Sequence, residues 1–143
     1  MNPVPKLICR AYTSEFKTEG NKLIGLAAVY ESRTNFGNLF YEVIERGAFD
    51  ESDLTDVLFF VNHDLTKIPL ARSRRNNGNS TMQLKVDERG LNVEPTLDVE
   101  NNADARALYS AVKRGDITGM SFLFTVKEDA WEELDASVPT RRI

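Results

Sequence analysis

The apolar residues of this 143-residue chain fall into short runs interrupted by turn chemistry, and only one stretch repeats at helical spacing. That pattern restricts the chain to a β-rich architecture. Leu7 to Thr13 and Lys22 to Tyr30 are β-leaning runs separated by Thr18-Glu19-Gly20-Asn21, and Leu39 to Ile44 is another strand candidate. Phe49 to Leu54 reads as a short helix or turn. Val57 to Asn62 is rich in Val and Phe and too short for an ordinary helix, so it reads as a buried strand with His63 at its end. Ile68 to Ser73 follows as a short strand, and Arg74 to Asn79 as a loop. Met82, Leu84 and Val86 then alternate with Gln83, Lys85 and Asp87, the two-residue period of a half-buried strand. Asp87-Glu88-Arg89-Gly90 turns the chain back into Leu91, Val93 and Pro95. Pro95 has no amide hydrogen to donate, so this strand is an edge or ends there.

The helix is marked by Ala105, Leu108, Tyr109 and Val112, which lie at i, i+3, i+4 and i+7. Asn101 or Asn102 is suited to cap its start, and Asp104 adds negative charge to the first turn. Lys113 and Arg114 suit the last turn, and Gly115 the left-handed stop beyond it. After the helix, Met120, Phe122, Phe124 and Val126 form one face of a strand running from Ser121 to Lys127. The aromatic face belongs in a core, which leaves Ser121 on the opposite face with Leu123 and Thr125. The whole reads as a mainly β, α+β domain: a closed or strongly curved antiparallel β-barrel flanked by a few helices.

Composition narrows the function classes. A net charge of −4 gives no long-range attraction to nucleic acid. The sole cysteine, Cys9, rules out an intrachain disulfide, and with one histidine a Cys/His zinc cage cannot be assembled. No stretch approaches the ~20 apolar residues of a membrane span, and no signal-peptide core opens the chain. A soluble, cytoplasmic protein is expected, with no cofactor, no metal, no membrane and no nucleic acid among its partners.

General-base chemistry by imidazole has one source, His63. Gly119-Met120-Ser121-Phe122 offers a hydroxyl nucleophile that could pass its proton to that ring. Gly119 allows close backbone approach to a substrate and could help aim amides at an oxyanion; Met120 and Phe122 complete the candidate oxyanion and substrate-groove segment. A lone histidine is more often structural, and a serine at a strand start more often bonds a neighbouring backbone group. The pair is informative only if the two meet. Asp64 is expected to be a turn or capping residue rather than the partner of the imidazole, and Asp116 a turn residue. Arg72, Arg74 and Arg75 read as a solvated loop, with substrate docking as second choice. Glu128, Asp129, Glu132, Glu133 and Asp135, with Trp131, read as a solvated surface.

Gly47-Ala48-Phe49, Asn62-His63-Asp64, Gly90-Leu91 and Gly119-Met120-Ser121-Phe122, in that order and spacing, resemble the tailed-bacteriophage prohead (procapsid maturation) serine proteases, relatives of the herpesvirus assemblins. The resemblance runs from about Leu7 to Val126. It implies one prohead-protease domain over residues 1–143, truncated at its C-terminal end, with an assemblin-like barrel. It implies that His63 is the general base and Ser121 the nucleophile of an endopeptidase. The implied substrates are the major capsid protein precursor and the scaffold protein, cut inside the procapsid in the host cytoplasm; a homo-oligomer is compatible with that role. An unperturbed imidazole titrates near ~6.5, so activity is expected to rise through that range.

The chain departs from the family at Leu123 and Ala71, where relatives often carry Gly; Leu123 could narrow the space beside the nucleophile. The resemblance also places the third catalytic residue after the serine, in a later strand. No convincing orienting residue lies between Ser121 and Ile143, so the third triad member is unknown and expected beyond Ile143. The sequence is then a truncated piece, or the protein trims its own tail, or it works as a Ser/His dyad. The rival reading is a catalytically inactive protease-fold module that binds capsid or scaffold protein during assembly. A general esterase is weaker, since nothing in the sequence resembles an apolar acyl pocket.

Overall fold

The computed structural model describes residues 8–13, 16–74, 79–124, 126, 129–132 and 138–143. Leu7, Arg75, the loop residues Asn76 to Gly78, Thr125, Lys127, Glu128, Glu133 and Asp135, on which the expectations above touch, lie outside the described residues.

The centre of the fold is a four-stranded sheet in the order β2 (Phe16–Glu19), β3 (Lys22–Val29), β9 (Gly90–Pro95) and β8 (Met82–Val86). Leu23, Leu26, Ala27 and Ala28 of β3 are all buried, which explains a run too continuously apolar for a one-sided strand. In β8 and β9 the expected alternation holds: Met82, Leu84, Leu91 and Val93 are buried, and Pro95 closes β9 at its last residue. The turn between them needs glycine. Gly90 has φ +144°, and a Cβ there would stand 2.0 Å from the carbonyl oxygen of Ala28. Asp87 Oδ1 accepts the amides of Arg89 (2.8 Å) and Gly90 (3.3 Å), so its carboxyl is held below the usual range chiefly by the Arg89 amide.

Three smaller ladders surround this sheet. β1 (Ile8–Thr13) pairs antiparallel with β10 (Gly119–Phe124), with Ala11 opposite Ser121, and both lie against β3. β6 (Leu58–Phe59) pairs with β7 (Ala71–Arg72). The fourth sheet has the order β11 (Ala130–Glu132), β12 (Thr140–Arg142), β5 (Phe40–Val43) and β4 (Thr34–Phe36), and β12 runs parallel to β5. The helix α1 (Ala103–Lys113) packs on β2. Asn102 caps it, its side chain accepting from the amides of Asp104 (3.0 Å) and Ala105 (3.2 Å); Gly115, at φ +85°, stops it. Ala105, Leu108 and Val112 face inward as expected, and the Tyr109 hydroxyl donates to the carbonyl of Gly20 at 2.6 Å.

The expected barrel is not formed. No sheet closes among the described residues, because no ladder joins the four sheets. Where a closed barrel needs continuous pairing, residues 46–52 run through successive turns and 60–70 form a loop. One helix, not several, flanks the strands among the described residues, and the β5–β12 pair breaks the antiparallel pattern. Of the two readings of Phe49 to Leu54, the turn holds, the amide of Ser52 donating to Phe49 O at 3.1 Å, and the short helix is absent. Val57 to Asn62 is likewise not a buried strand. Only Leu58 and Phe59 pair, and Leu58 and Val61 are 43% and 39% exposed.

Two buried clusters make the core. One gathers Ala27, Ala28, Ala71, Met82, Leu84, Leu91, Val93 and Met120 from the strands; the other joins Leu23 and Leu97 to the helix residues Ala105, Leu108 and Val112. Phe16 and Phe59 pack against both. Burying these side chains supplies most of the folding free energy, at about 1.5–3 kcal/mol for each large one.

Candidate active site

Ser121 owes its position to strand pleat. Met120 on one side of it is buried in the sheet cluster, and Phe122 on the other turns its ring into the same core, stacked on Phe124 (4.4 Å between centroids) and edge-on to Phe49 (5.6 Å). Ser121 therefore projects from the opposite face, as the alternation in the sequence requires.

His63 reaches that face from the loop between β6 and β7. The loop is anchored by the amide of Leu70 on Phe59 O (2.9 Å), that of Ser73 on Val57 O (2.9 Å), and that of Val57 on Ser73 Oγ (2.7 Å). At its tip Asn62 and His63 both have positive φ, 53° and 51°, and the amide of Asp64 donates to Val61 O at 3.1 Å. This is the pattern of a type I′ turn, normally filled by Asn-Gly. A histidine at φ > 0 costs about 1–2 kcal/mol, a strain the surrounding pairing must hold. Asp64 completes the turn rather than the site: its Oδ1 accepts from Thr66 Oγ1 (2.5 Å) and Thr66 N (3.1 Å). These bonds, the hydroxyl first, hold the Asp64 carboxyl below the usual range, with a further contribution from Lys67.

The loop tip and the strand meet. His63 Nε2 and Ser121 Oγ, 58 residues apart in sequence, are hydrogen-bonded to each other, and both side chains are half-buried. With the ring neutral and its proton on Nδ1, the hydroxyl donates to Nε2, the arrangement from which a base accepts the proton of a nucleophile. Among the described residues no side chain hydrogen-bonds the other ring nitrogen of His63.

The pair lines a cavity of about 280 Å³ together with Gly119, Met120 and a set of apolar side chains. It lies at the seam of the two core clusters, since Phe16 and Phe59 belong to both, Met120 to the first, and Leu108 and Ile117 to the second. A mostly apolar pocket, with Asn62 in its lining, thus lies beside Ser121 although no single stretch of sequence displays one. Gly119 and Met120 are in it; Phe122 is not, its side chain packing against the core. Leu123 lines neither this cavity nor its neighbour, and Ala71 is buried in the core.

The remaining candidates lie elsewhere. Asp116 pairs with Arg114 at the end of α1. Arg72 forks onto Asp56 at 2.6 and 2.5 Å on the surface, and Arg74 is exposed. The acidic stretch is less of a free surface than its composition suggests. Asp129 accepts from Arg141 at 2.7 Å, Glu132 lies 3.6 Å from Arg142, and Trp131 packs edge-on to Phe40 within a paired strand. Among the described residues no three His, Cys, Asp or Glu side chains gather as a metal-binding set, and no helix is long and apolar enough to cross a membrane.

Comparison with known proteins gives one family. The sequence profile of the caudovirus prohead serine protease family matches residues 9–143. No curated protein and no solved structure gives a significant match.

Proposed function

Because the chain belongs to the caudovirus prohead serine protease family, we propose that it is the endopeptidase that cuts capsid-protein precursor and scaffold protein inside the procapsid, with Ser121 as nucleophile and His63 as general base. The observation that carries this reading is the hydrogen bond between His63 Nε2 and Ser121 Oγ within one cavity. Ser121 Oγ attacks the scissile carbonyl while Nε2 takes its proton, forming a tetrahedral oxyanion. Backbone amides near Gly119, Met120 and Phe122 are the candidate donors to that oxygen. Collapse breaks the C–N bond, Nε2 returns the proton to the leaving amine, and water, deprotonated by the same ring, releases the acyl group from Ser121. The set of groups is a dyad within the described residues.

Co-expression with a capsid precursor tests this. Ser121→Ala and His63→Ala should each abolish processing, and a fluorophosphonate should label Ser121 in the unmodified protein. Processing that survives either substitution would falsify the assignment. The second reading, a non-catalytic module that binds capsid or scaffold protein, draws support from the second ring nitrogen of His63, which no side chain among the described residues engages. It predicts that Ser121 stays unlabelled while the protein still co-purifies with its capsid partner.

A further inference from the structure

The cavity around the reactive pair differs in charge from the one beside it. Apart from His63, none of its lining side chains ionises; Asn62 is the one amide, and Phe16, Leu58, Phe60, Val61, Leu108 and Ile117 give it mostly apolar walls. The neighbouring cavity, about 390 Å³, shares Phe60, Val61, Leu108 and Ile117 but adds Asp64, Lys67 and Asp104. Charge is therefore available one step away and absent next to Ser121. A charged side chain held against these walls would give up water without gaining a partner, a far larger loss than a few missing apolar contacts.

Two of the walls point the same way. Leu58 and Val61 are 43% and 39% exposed and belong to neither core cluster. Their exposed apolar surface packs against neither cluster. It is useful once something apolar covers it. The volume, below the roughly 300–1,000 Å³ of sites for drug-sized ligands, suits one large side chain.

We propose that this cavity is the subsite for the substrate residue flanking the scissile bond, and that it selects a branched aliphatic or aromatic side chain and rejects charged ones. The inference rests on the protease reading above, since it takes Ser121 as the attacking group. Leu58 and Val61 are the specificity-determining residues at its mouth.

The test is digestion of a proteome-derived peptide library by the full chain, with cleavage sites read by mass spectrometry. At one of the two positions flanking the cut, Leu, Ile, Val, Met and Phe should exceed Asp, Glu, Lys and Arg by about tenfold or more. In Leu58→Asp or Val61→Asp, the preference among the bonds still cut should shift at that same position toward Lys and Arg by a similar factor. Cleavage with no apolar preference at either flanking position overturns the subsite but leaves the protease reading standing. So does a preference that neither variant moves. If Ser121 is not labelled and no peptide is cut, the protease reading fails and the subsite falls with it.

Discussion

Arg10 of β1 grips the carboxylate of Glu42 in β5 through two hydrogen bonds, 2.5 and 2.8 Å long, although Glu42 is only 2% exposed. Arg141 of β12 approaches the same carboxylate at 3.5 Å, and the Arg10 guanidinium lies 4.7 Å from the centroid of the Phe36 ring. One buried charge thus ties the partner strand of Ser121 to the outer sheet. Removing one member of such a pair strands the other without compensation, which costs about 3–5 kcal/mol. Glu42→Ala should lower the stability measured by urea denaturation by that amount. A loss below about 1 kcal/mol would mean that the pair is no more than a surface contact.

Positive φ at the loop tip separates two substitutions at Asn62. Asn62→Gly relieves strain and should leave the melting temperature and the labelling rate of Ser121 near their starting values. Asn62→Val places a β-branched residue where it fits worst. It should lose about 1–2 kcal/mol and displace His63, slowing labelling at least tenfold. Equal behaviour of the two variants would rule out the turn as the device that aims the imidazole.

Acid should loosen the same loop. The Asp64 carboxyl is held below its ordinary range by the Thr66 hydroxyl first, then by the Thr66 amide. Its folded-state value being depressed, its contribution is present above the unfolded value and is lost as pH falls through the folded one. Protection from amide exchange, relative to the unstructured rate at the same pH, should fall at Asp64 and Lys67, whose N–H groups bond Val61 O and Asp64 O, as pH drops through and below the carboxylate range. In Thr66→Val the loss should be smaller and complete at higher pH, because the main cause of the depression is gone. A loss of the same size over the same pH range would exclude Asp64 as the titrating group.

Gly90→Ala meets backbone, not a movable side chain. Its Cβ would lie 2.0 Å from Ala28 O and 2.9 Å from the Ala28 carbonyl carbon, so β3 and β9 would have to separate locally. The expected loss is at least ~2 kcal/mol, or several degrees of melting temperature. A variant with unchanged melting would place the β8–β9 turn differently.

Local chemistry was readable where one stretch carries its own reasons. The Asn102 cap, the Leu108 stripe, the Gly115 stop and the alternation from Met82 to Val93 need no distant partner to be recognised. The question whether His63 and Ser121 meet could be posed from the sequence, and the two are hydrogen-bonded. What failed depended on partners far along the chain. Asp129, Trp131 and Glu132 are exposed as expected, but nothing local marks Thr140–Arg142 as a strand, and there Arg141 and Arg142 pair with Glu42, Asp129, Glu31 and Glu45. Val57 to Asn62 looked like a buried strand because cleft walls and core strands use the same residue types. Barrel closure was inferred from the number of strands, but closure depends on which edges pair, and strand composition does not encode that.

The parallel pairing of β12 with β5 has a consequence for biosynthesis. Glu42 and Arg141 are 99 residues apart, so β5 emerges from the ribosome long before the strand that covers its free edge. Until residues 140–142 are made, that edge offers unpaired backbone and Glu42 lacks one of its two arginines. The outer sheet can therefore be completed only after about a hundred further residues have been made, and a ribosome stalled before Thr140 would hold a nascent chain prone to pairing with its neighbours.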